Sequence, residues 1–288
     1  MKKICAITLS AIMALSLAAC GSAAPSAPSA SLGTPDASSS LQGGALSGKV
    51  GLGGSTSVEK VIGALNEAFM LQNSGVTVTY DATGSGAGIT GALDGSLDIG
   101  LSSRDLKDSE TGLIATPYAL DGIAVIVNKE NTVDNLTIEQ IAKIATGTIK
   151  NWKEVGGADM EIVFFGREAG SGTRDGFESI VKVADKCAYS EELTTTGAVV
   201  GKVQASAGGI GYASLASVDE KIKPVSVEGV NASEETVLNG TYALQRPFLF
   251  VTKEGKEQSA AEKAYMAFAT SKEAASIISA AGAVPLAK

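Results

Sequence analysis

Hydrophobic and polar positions follow a repeating order along this chain: a short apolar run, a loop rich in glycine and serine, then a helical pattern. The clearest case starts with the apolar residues 162–165 (IVFF) and continues through the polar loop 167–173 (REAGSGT). Apolar positions then recur at three- and four-residue spacing, at Phe177, Ile180, Val181 and Ala184. This spacing is typical of a helix with one buried face. The stretch therefore predicts a strand, a tight turn and a helix start in succession.

The same order occurs twice upstream. Residues 76–80 (VTVTY) have the alternation and β-branched content of a strand, and the loop 81–88 (DATGSGAG) follows them. Residues 50–52 lead into the loop 53–57 (GGSTS) and then into a predicted helix with one apolar face formed by Val58, Val61, Ile62, Leu65 and Phe69. Thr56 has capping-box spacing to the acidic residue three positions later, which predicts the helix start there.

The middle and end of the chain predict how these units are connected. Residues 97–101 (LDIGL) indicate a further strand, and residues 114–127 form a long, mostly apolar extended stretch with Asp121 and Gly122 as a candidate pivot. Alternating strands and helices favour an α/β architecture. We expect two lobes joined by two crossing strands, and two Ala-rich helices that close the sequence. The predicted bounds are 48–120 plus 246–288 for the first lobe and 121–245 for the second.

The first residues have the features of an export signal. Lys2 and Lys3 precede an apolar run, and the segment 1–19 is followed by Cys20 in the sequence Leu-Ala-Ala-Cys. This sequence resembles a bacterial lipobox, so we expect Cys20 to carry lipid and to anchor the protein on the outer face of the cell membrane. The remainder of 20–47 is rich in Ser, Ala, Gly and Pro and is predicted to be a flexible tether.

Composition excludes several classes of function. The chain has no histidine, which removes Ser-His-Asp catalysis and the usual histidine-based zinc sites. Its formal net charge of −8 becomes −10 once Lys2 and Lys3 leave with the signal, so nucleic acid is an unfavourable partner. Cys187 is the one cysteine expected to remain free, and it is interpreted as a small buried apolar residue.

The Gly/Ser loops have the chemistry of an anion site. Glycines let the backbone expose its N–H groups, and a helix start adds unpaired N–H groups and a partial positive charge. Ser171, Thr173 and Arg167 add side-chain donors. Ligands in open α/β sheets bind beyond the carboxyl ends of the strands, where all three loops are expected. The pattern predicts a site for a small tetrahedral anion.

These segments together resemble one known family. Residues 167–174 (REAGSGTR), 54–57 (GSTS), 83–86 (TGSG) and 98–104 (DIGLSSR) are similar to segments of the PstS family, the phosphate-binding proteins of bacterial ABC importers. The resemblance extends in order over about residues 48–288. It implies a two-lobed periplasmic-binding-protein-like fold of type II, with the ligand cleft between the lobes. It also implies a monomeric, non-enzymatic protein without cofactor or metal, which captures inorganic phosphate and docks on membrane permease subunits.

Carried over position by position, the resemblance implies a set of phosphate-binding residues from both lobes: Ser55, Thr56, Ser85, Arg167, Ser171, Gly172 and Thr173. The best-known members have an aspartate where this chain has Ser103, and that aspartate accepts the proton of bound hydrogen phosphate. We include Ser103 itself, and also Arg104, because Arg104 directly follows the end of a predicted strand. Glu168, Asp105 and Asp81 remain open as replacements for the missing acceptor.

Two alternative functions remain. Another oxyanion, such as sulfate or molybdate, would suit the same donors, since a site without an acidic acceptor does not select for a protonated ligand. A secreted phosphatase would need metal ligands, for which a chain without histidine offers only scattered carboxylates.

Overall fold

The computed structural model describes residues 46–286. The predicted signal, Cys20 and nearly all of the predicted tether lie outside these residues. Twelve strands are formed within the described part: β1 (Ser47–Gly54), β2 (Gly75–Ala82), β3 (Ile99–Ser102), β4 (Leu113–Asn128), β5 (Asn135–Leu136), β6 (Val163–Arg167), β7 (Glu191–Leu193), β8 (Gly209–Ser214), β9 (Ile222–Pro224), β10 (Ser226–Val227), β11 (Gln245–Lys253) and β12 (Val284–Pro285).

Eight α-helices are described over the same residues, and short 3₁₀ turns occur between several elements. They are α1 (Glu59–Gln72), α2 (Ser85–Asp94), α3 (Ile138–Ala145), α4 (Gly172–Val181), α5 (Thr196–Ala205), α6 (Glu234–Leu238), α7 (Ala260–Ala269) and α8 (Lys272–Ala280).

Ten of the described strands form one long mixed sheet in the order β2-β1-β3-β11-β4-β8-β6-β7, with β9 and β12 paired to β4, and β5 pairs in parallel with β10 in a separate two-stranded sheet. The strand β4 is long enough to belong to both ends of this sheet. Its first part pairs antiparallel with β11, and its last residues pair antiparallel with β8. Arg246 of β11 stands opposite Asp121 of β4 at the point where β4 changes partner. The long apolar stretch was thus correctly predicted as a continuous extended segment.

Two large apolar cores lie on the two parts of the sheet. One is built from β1, α1, α7 and α8 and includes Leu65 and Phe250, each of which has no exposed surface. The other surrounds the end of β4, α3, α4 and β8, and includes Trp152 and Tyr212. Trp152 is buried, and its indole N–H donates to the carbonyl of Gly208 at 3.0 Å.

Most helix and strand predictions agree with the structure, and two helix ends differ. The helix α4 stops at Val181 because Lys182 adopts a left-handed conformation (φ 61°), so Ala184 is not part of it. Before α1, a 3₁₀ turn over Thr56–Val58 is capped by Ser55, whose hydroxyl accepts from the Ser57 N–H, and α1 itself begins at Glu59 without a side-chain cap. The predicted cap, Thr56, is wrong because its hydroxyl is bound elsewhere.

Candidate functional site

The three upstream strands end side by side. Because β1 pairs in parallel with both β2 and β3, the residues that follow them meet at one edge of the sheet. Ser55 follows β1, Ser85 opens α2 just beyond β2, and Ser103 follows β3. Gly84 precedes Ser85 with φ 92°, a left-handed conformation that glycine adopts without strain. Three hydroxyls from distant parts of the chain are therefore delivered to one place.

These hydroxyls form a connected cluster, here called the serine cluster. The Oγ of Ser55 donates to the Oγ of Ser103 at 2.8 Å, and the hydroxyls of Ser85 and Ser103 are 3.2 Å apart. The backbone N–H of Ser103 donates to the Oγ of Ser85 at 3.1 Å. All three residues are buried, with at most 2% of their surface exposed. Buried hydroxyl groups need polar partners, and in this structure the three serines are hydrogen-bonded to one another.

The N-terminus of α4 is directed at the serine cluster. Its cap is Ser171, whose Oγ accepts from the backbone N–H of Arg174. A Cβ atom added to Gly172, the first residue of α4, would lie 2.4 Å from the Oγ of Ser85 and 2.7 Å from that of Ser103. The lack of a side chain at Gly172 is what allows this approach. The helix start thus brings its unpaired N–H groups and its positive dipole end to the cluster.

Thr173 continues the contact on one side of the cluster. Its hydroxyl is 2.6 Å from that of Ser57, which in turn is 3.2 Å from the hydroxyl of Thr196 at the start of α5. Thr56 is 3.1 Å from the same Thr196 hydroxyl. Ser57 and Thr196 were not among the predicted residues. Ser57 stands inside the quoted GSTS motif, whereas no local pattern distinguishes Thr196 from other threonines.

Arg167 lies at the end of β6 with its guanidinium buried behind Thr56. Its Nη1 donates to the Thr56 Oγ1 at 2.8 Å. Its Nε and Nη2 donate to the carbonyls of Leu193 and Thr194, respectively. Burial lowers the pKa of Arg167, and nearby Glu168 opposes that shift. Arginine nevertheless stays protonated in proteins. A positive charge is thus held one hydroxyl away from the site.

Arg104 is directed elsewhere. Its two terminal nitrogens each bind a carboxylate oxygen of Glu110 at 2.7 Å, and its Nε lies 2.8 Å from the Asp175 Oδ2. The Asp175 contact is an ion pair without hydrogen-bond alignment, since both atoms lack an aligned partner. Because these carboxylates occupy the guanidinium, the prediction that Arg104 joins the anion site is corrected. The position of Arg104 directly after a strand did not predict its contacts, since that position does not determine where a side chain points.

The cation beside Ser103 is instead Arg246. Its Nη1 is 3.1 Å from the Ser103 Oγ and 3.2 Å from the Ser103 carbonyl oxygen. Its Nε and Nη2 donate to the Asp121 Oδ2 at 3.1 and 2.8 Å. Burial raises the pKa of Asp121 and lowers the pKa of Arg246, and the attraction between the two charges opposes both shifts. Sequence reasoning missed Arg246, because its contact with Ser103 spans 143 positions and depends on the pairing of β11 with β3.

The three candidate replacements for an acidic acceptor do not contact the serine cluster among the described hydrogen bonds. Asp81 and Asp105 are exposed, and Glu168 is half-buried beyond Arg167. Within residues 46–286, no group of three metal-ligating side chains is found, and no helix has the length and apolar character to cross a membrane. The described site is therefore a buried set of hydroxyl and amide donors backed by two arginines.

Comparison with known proteins agrees with this architecture. A model of the PBP superfamily domain matches residues 37–273, and the chain belongs to that superfamily of two-lobed binding proteins. Among curated relatives, the phosphate-binding protein PstS of Borreliella burgdorferi is 30% identical over 243 residues, covering 80% of this chain and 87% of the relative. PstS of Bacillus subtilis is 32% identical over 206 residues, covering 69% and 68% of the two chains. Within the superfamily, the chain belongs to the PstS family.

Solved structures give the same result. A phosphate ABC transporter substrate-binding protein from Clostridium perfringens, crystallised with bound phosphate, is 40% identical with a TM-score of 0.81. It aligns over 83% of this chain and 100% of its own length. An ABC-type phosphate transport receptor from Vibrio cholerae is 33% identical with a TM-score of 0.69, over 82% and 100% of the two chains. The predicted α/β, two-lobed binding-protein fold is confirmed. These relatives are binding proteins and not enzymes.

Proposed function

We propose that this protein captures inorganic phosphate between its two lobes and delivers it to an ABC importer, without catalysing a reaction. The observation that supports this proposal most directly is the close approach of Gly172 to Ser85 and Ser103. This approach places a helix N-terminus against buried hydroxyls from three other loops. Such an arrangement offers many hydrogen-bond donors to a small anion. The names of the PstS relatives point to phosphate as that anion.

The proposed contacts come from both lobes. Ser55, Ser85, Ser103 and the backbone of Thr56 would bind from the first lobe, and Ser171, Gly172 and Thr173 from the second. Arg167 would add charge beside Thr56. Seven or eight hydrogen bonds to a charged ligand, at roughly 1.5–3 kcal/mol each, exceed the roughly 8 kcal/mol that micromolar affinity requires, which leaves room for desolvation and closure.

The lobe bounds belong to this proposal. They are 48–120 plus 246–288 for the first lobe and 121–245 for the second, with the boundary at Asp121 and Arg246, which stand opposite each other in the antiparallel strands β4 and β11. A lipid on Cys20 would hold the monomer outside the cell membrane, close to its permease subunits, after removal of residues 1–19.

One observation supports sulfate as an alternative ligand. Ser103 stands where the best-known relatives have an acidic acceptor, and no carboxylate among the described residues touches the serine cluster. Parallel calorimetric titrations with phosphate, arsenate and sulfate test the proposal. We expect phosphate and arsenate to bind and sulfate to give no heat of binding. Tight sulfate binding with weak phosphate binding would replace phosphate by sulfate as the ligand.

A further inference from the structure

Arg246 is buried deep in the fold, and its polar contacts are divided between two partners. Only 5% of its surface is exposed. Two of its nitrogens hold Asp121, and the third, Nη1, reaches the side chain and carbonyl of Ser103. Ser103 is 143 positions away in sequence, so this contact exists only because β11 lies beside β3 in the sheet.

The ion pair with Asp121 does not by itself account for the placement of Arg246. The other oxygen of Asp121 accepts from the Ser214 hydroxyl at 2.7 Å and from the Leu215 N–H at 3.1 Å, so this carboxylate is fully hydrogen-bonded. Burying such a pair gives little net stability, because the desolvation of two charges offsets their attraction. The extra contact to Ser103 therefore calls for a separate explanation.

The contact with Arg246 determines the direction in which the Ser103 hydroxyl donates its proton. A serine oxygen has two lone pairs and one proton. One lone pair of the Ser103 Oγ accepts from Arg246 and the other accepts from Ser55. Its own proton must then point outward, toward Ser85 or toward a ligand.

The same direction of hydrogen-bond donation continues to Ser85. The Oγ of Ser85 already accepts from the Ser103 N–H, and it can also accept the Ser103 proton. Its own proton then remains for a ligand. Hydrogen bonds that begin at a charged donor polarise the groups that follow them.

We propose that Arg246 is a positioning residue of the anion site, which acts through Ser103 by holding that hydroxyl as a donor. This inference rests on the proposed function. Arg246 would not touch the ligand itself. It leaves a donor proton of the Ser103–Ser85 pair for a negatively charged ligand, whereas the Ser55 proton is already donated to Ser103.

A double-mutant cycle with phosphate calorimetry tests this inference. Arg246→Lys keeps the charge but loses the planar fork that reaches Asp121 and Ser103 together. Because a hydrogen bond to a charged group is worth roughly 1.5–3 kcal/mol, Arg246→Lys and Ser103→Ala are each expected to weaken binding by about tenfold or more. The double variant should be only about as weak as Ser103→Ala alone, since Arg246 acts through that hydroxyl.

Lys256→Arg is the control. Lys256 pairs with Asp98 and Glu262 and has no described contact with the serine cluster, so its substitution should leave the Ser103 coupling unchanged. A second variant, Asp121→Asn with Arg246→Gln, replaces the ion pair by a neutral pair in case Arg246→Lys does not fold. It should lose phosphate affinity to a similar extent while keeping a cooperative unfolding transition.

The outcomes separate this inference from the proposed function. Additive losses of about a hundredfold in the double variant, or unchanged affinity in both Arg246 variants, would overturn the positioning role while phosphate binding stands. If the unaltered protein does not bind phosphate, the proposed function fails first.

Discussion

The sharpest perturbation available is a single methyl group at Gly172. In Gly172→Ala the new Cβ would lie 2.4 Å from the Ser85 Oγ, 2.7 Å from the Ser103 Oγ and 3.0 Å from the Ser85 Cβ. Contacts under about 3 Å are not tolerated, and neither hydroxyl can rotate freely because each is hydrogen-bonded to the other. The start of α4 must therefore move away from the serine cluster by a sizeable fraction of an ångström.

That movement should weaken phosphate binding and should not destabilise the helix α4. Gly172 has no left-handed conformation, and alanine in a helix is favoured over glycine by up to about 1 kcal/mol. Displacing α4 would instead weaken contacts from both sides to an anion. The loss of one or two hydrogen bonds to a charged ligand, at roughly 1.5–3 kcal/mol each, corresponds to at least about tenfold and up to a thousandfold or more in phosphate affinity.

Isothermal titration calorimetry with phosphate measures this loss, and thermal unfolding checks the fold. Gly63→Ala is the control, because a Cβ at Gly63 on α1 would meet no atom within 4 Å. That control should bind phosphate as the unaltered protein does. If Gly172→Ala bound within threefold of the unaltered protein while remaining folded, the helix start would not contact the ligand and the assigned site would be wrong.

Three further outcomes are expected. Asp175→Asn removes one of the two carboxylates paired with Arg104. Because such partly exposed pairs contribute up to about 1 kcal/mol, phosphate should dissociate about two- to fivefold faster in stopped-flow, and an unchanged rate would contradict a closing contact. Leu65→Ala empties a fully buried position, and urea titration should show a loss of about 2–5 kcal/mol in the free energy of unfolding. Burial raises the pKa of Cys187 to about 11, so less of its reactive thiolate exists near pH 8. Alkylation of the Cys187 peptide, followed by mass spectrometry, should be at least about tenfold slower in the folded protein than in urea.

The elements and the loops were predictable because their signals are local. A strand such as β2 is recognised by alternation within eight residues, and the loops after β1, β2 and β6 by glycine and serine in direct succession. Parallel pairing then brings Ser55 and Ser103 together, as the strand-end rule implied. The rule gives the location of a residue but not the direction of its side chain.

Side-chain direction depends on long-range partners, and this is where sequence reasoning failed. Arg104 and Ser103 are neighbours in sequence, yet Ser103 is in the cluster while Arg104 is bound to Glu110 and Asp175. The cation that does reach Ser103 comes from β11. Nothing within a local window indicates that contact, because it requires the order of strands in the completed sheet.

The two arginines that back the site share a feature that fits capture followed by release. Arg167 reaches Thr56 and Arg246 reaches Ser103, so each guanidinium is one hydroxyl removed from the proposed anion position. A direct bidentate arginine would bind an oxyanion more strongly and would oppose its transfer to a permease. Charge supplied through intervening hydroxyls strengthens those donors while the closed cleft persists. Separation of the lobes would break the Arg167–Thr56 contact, so the site would lose that polarisation together with the donors of the opposite lobe.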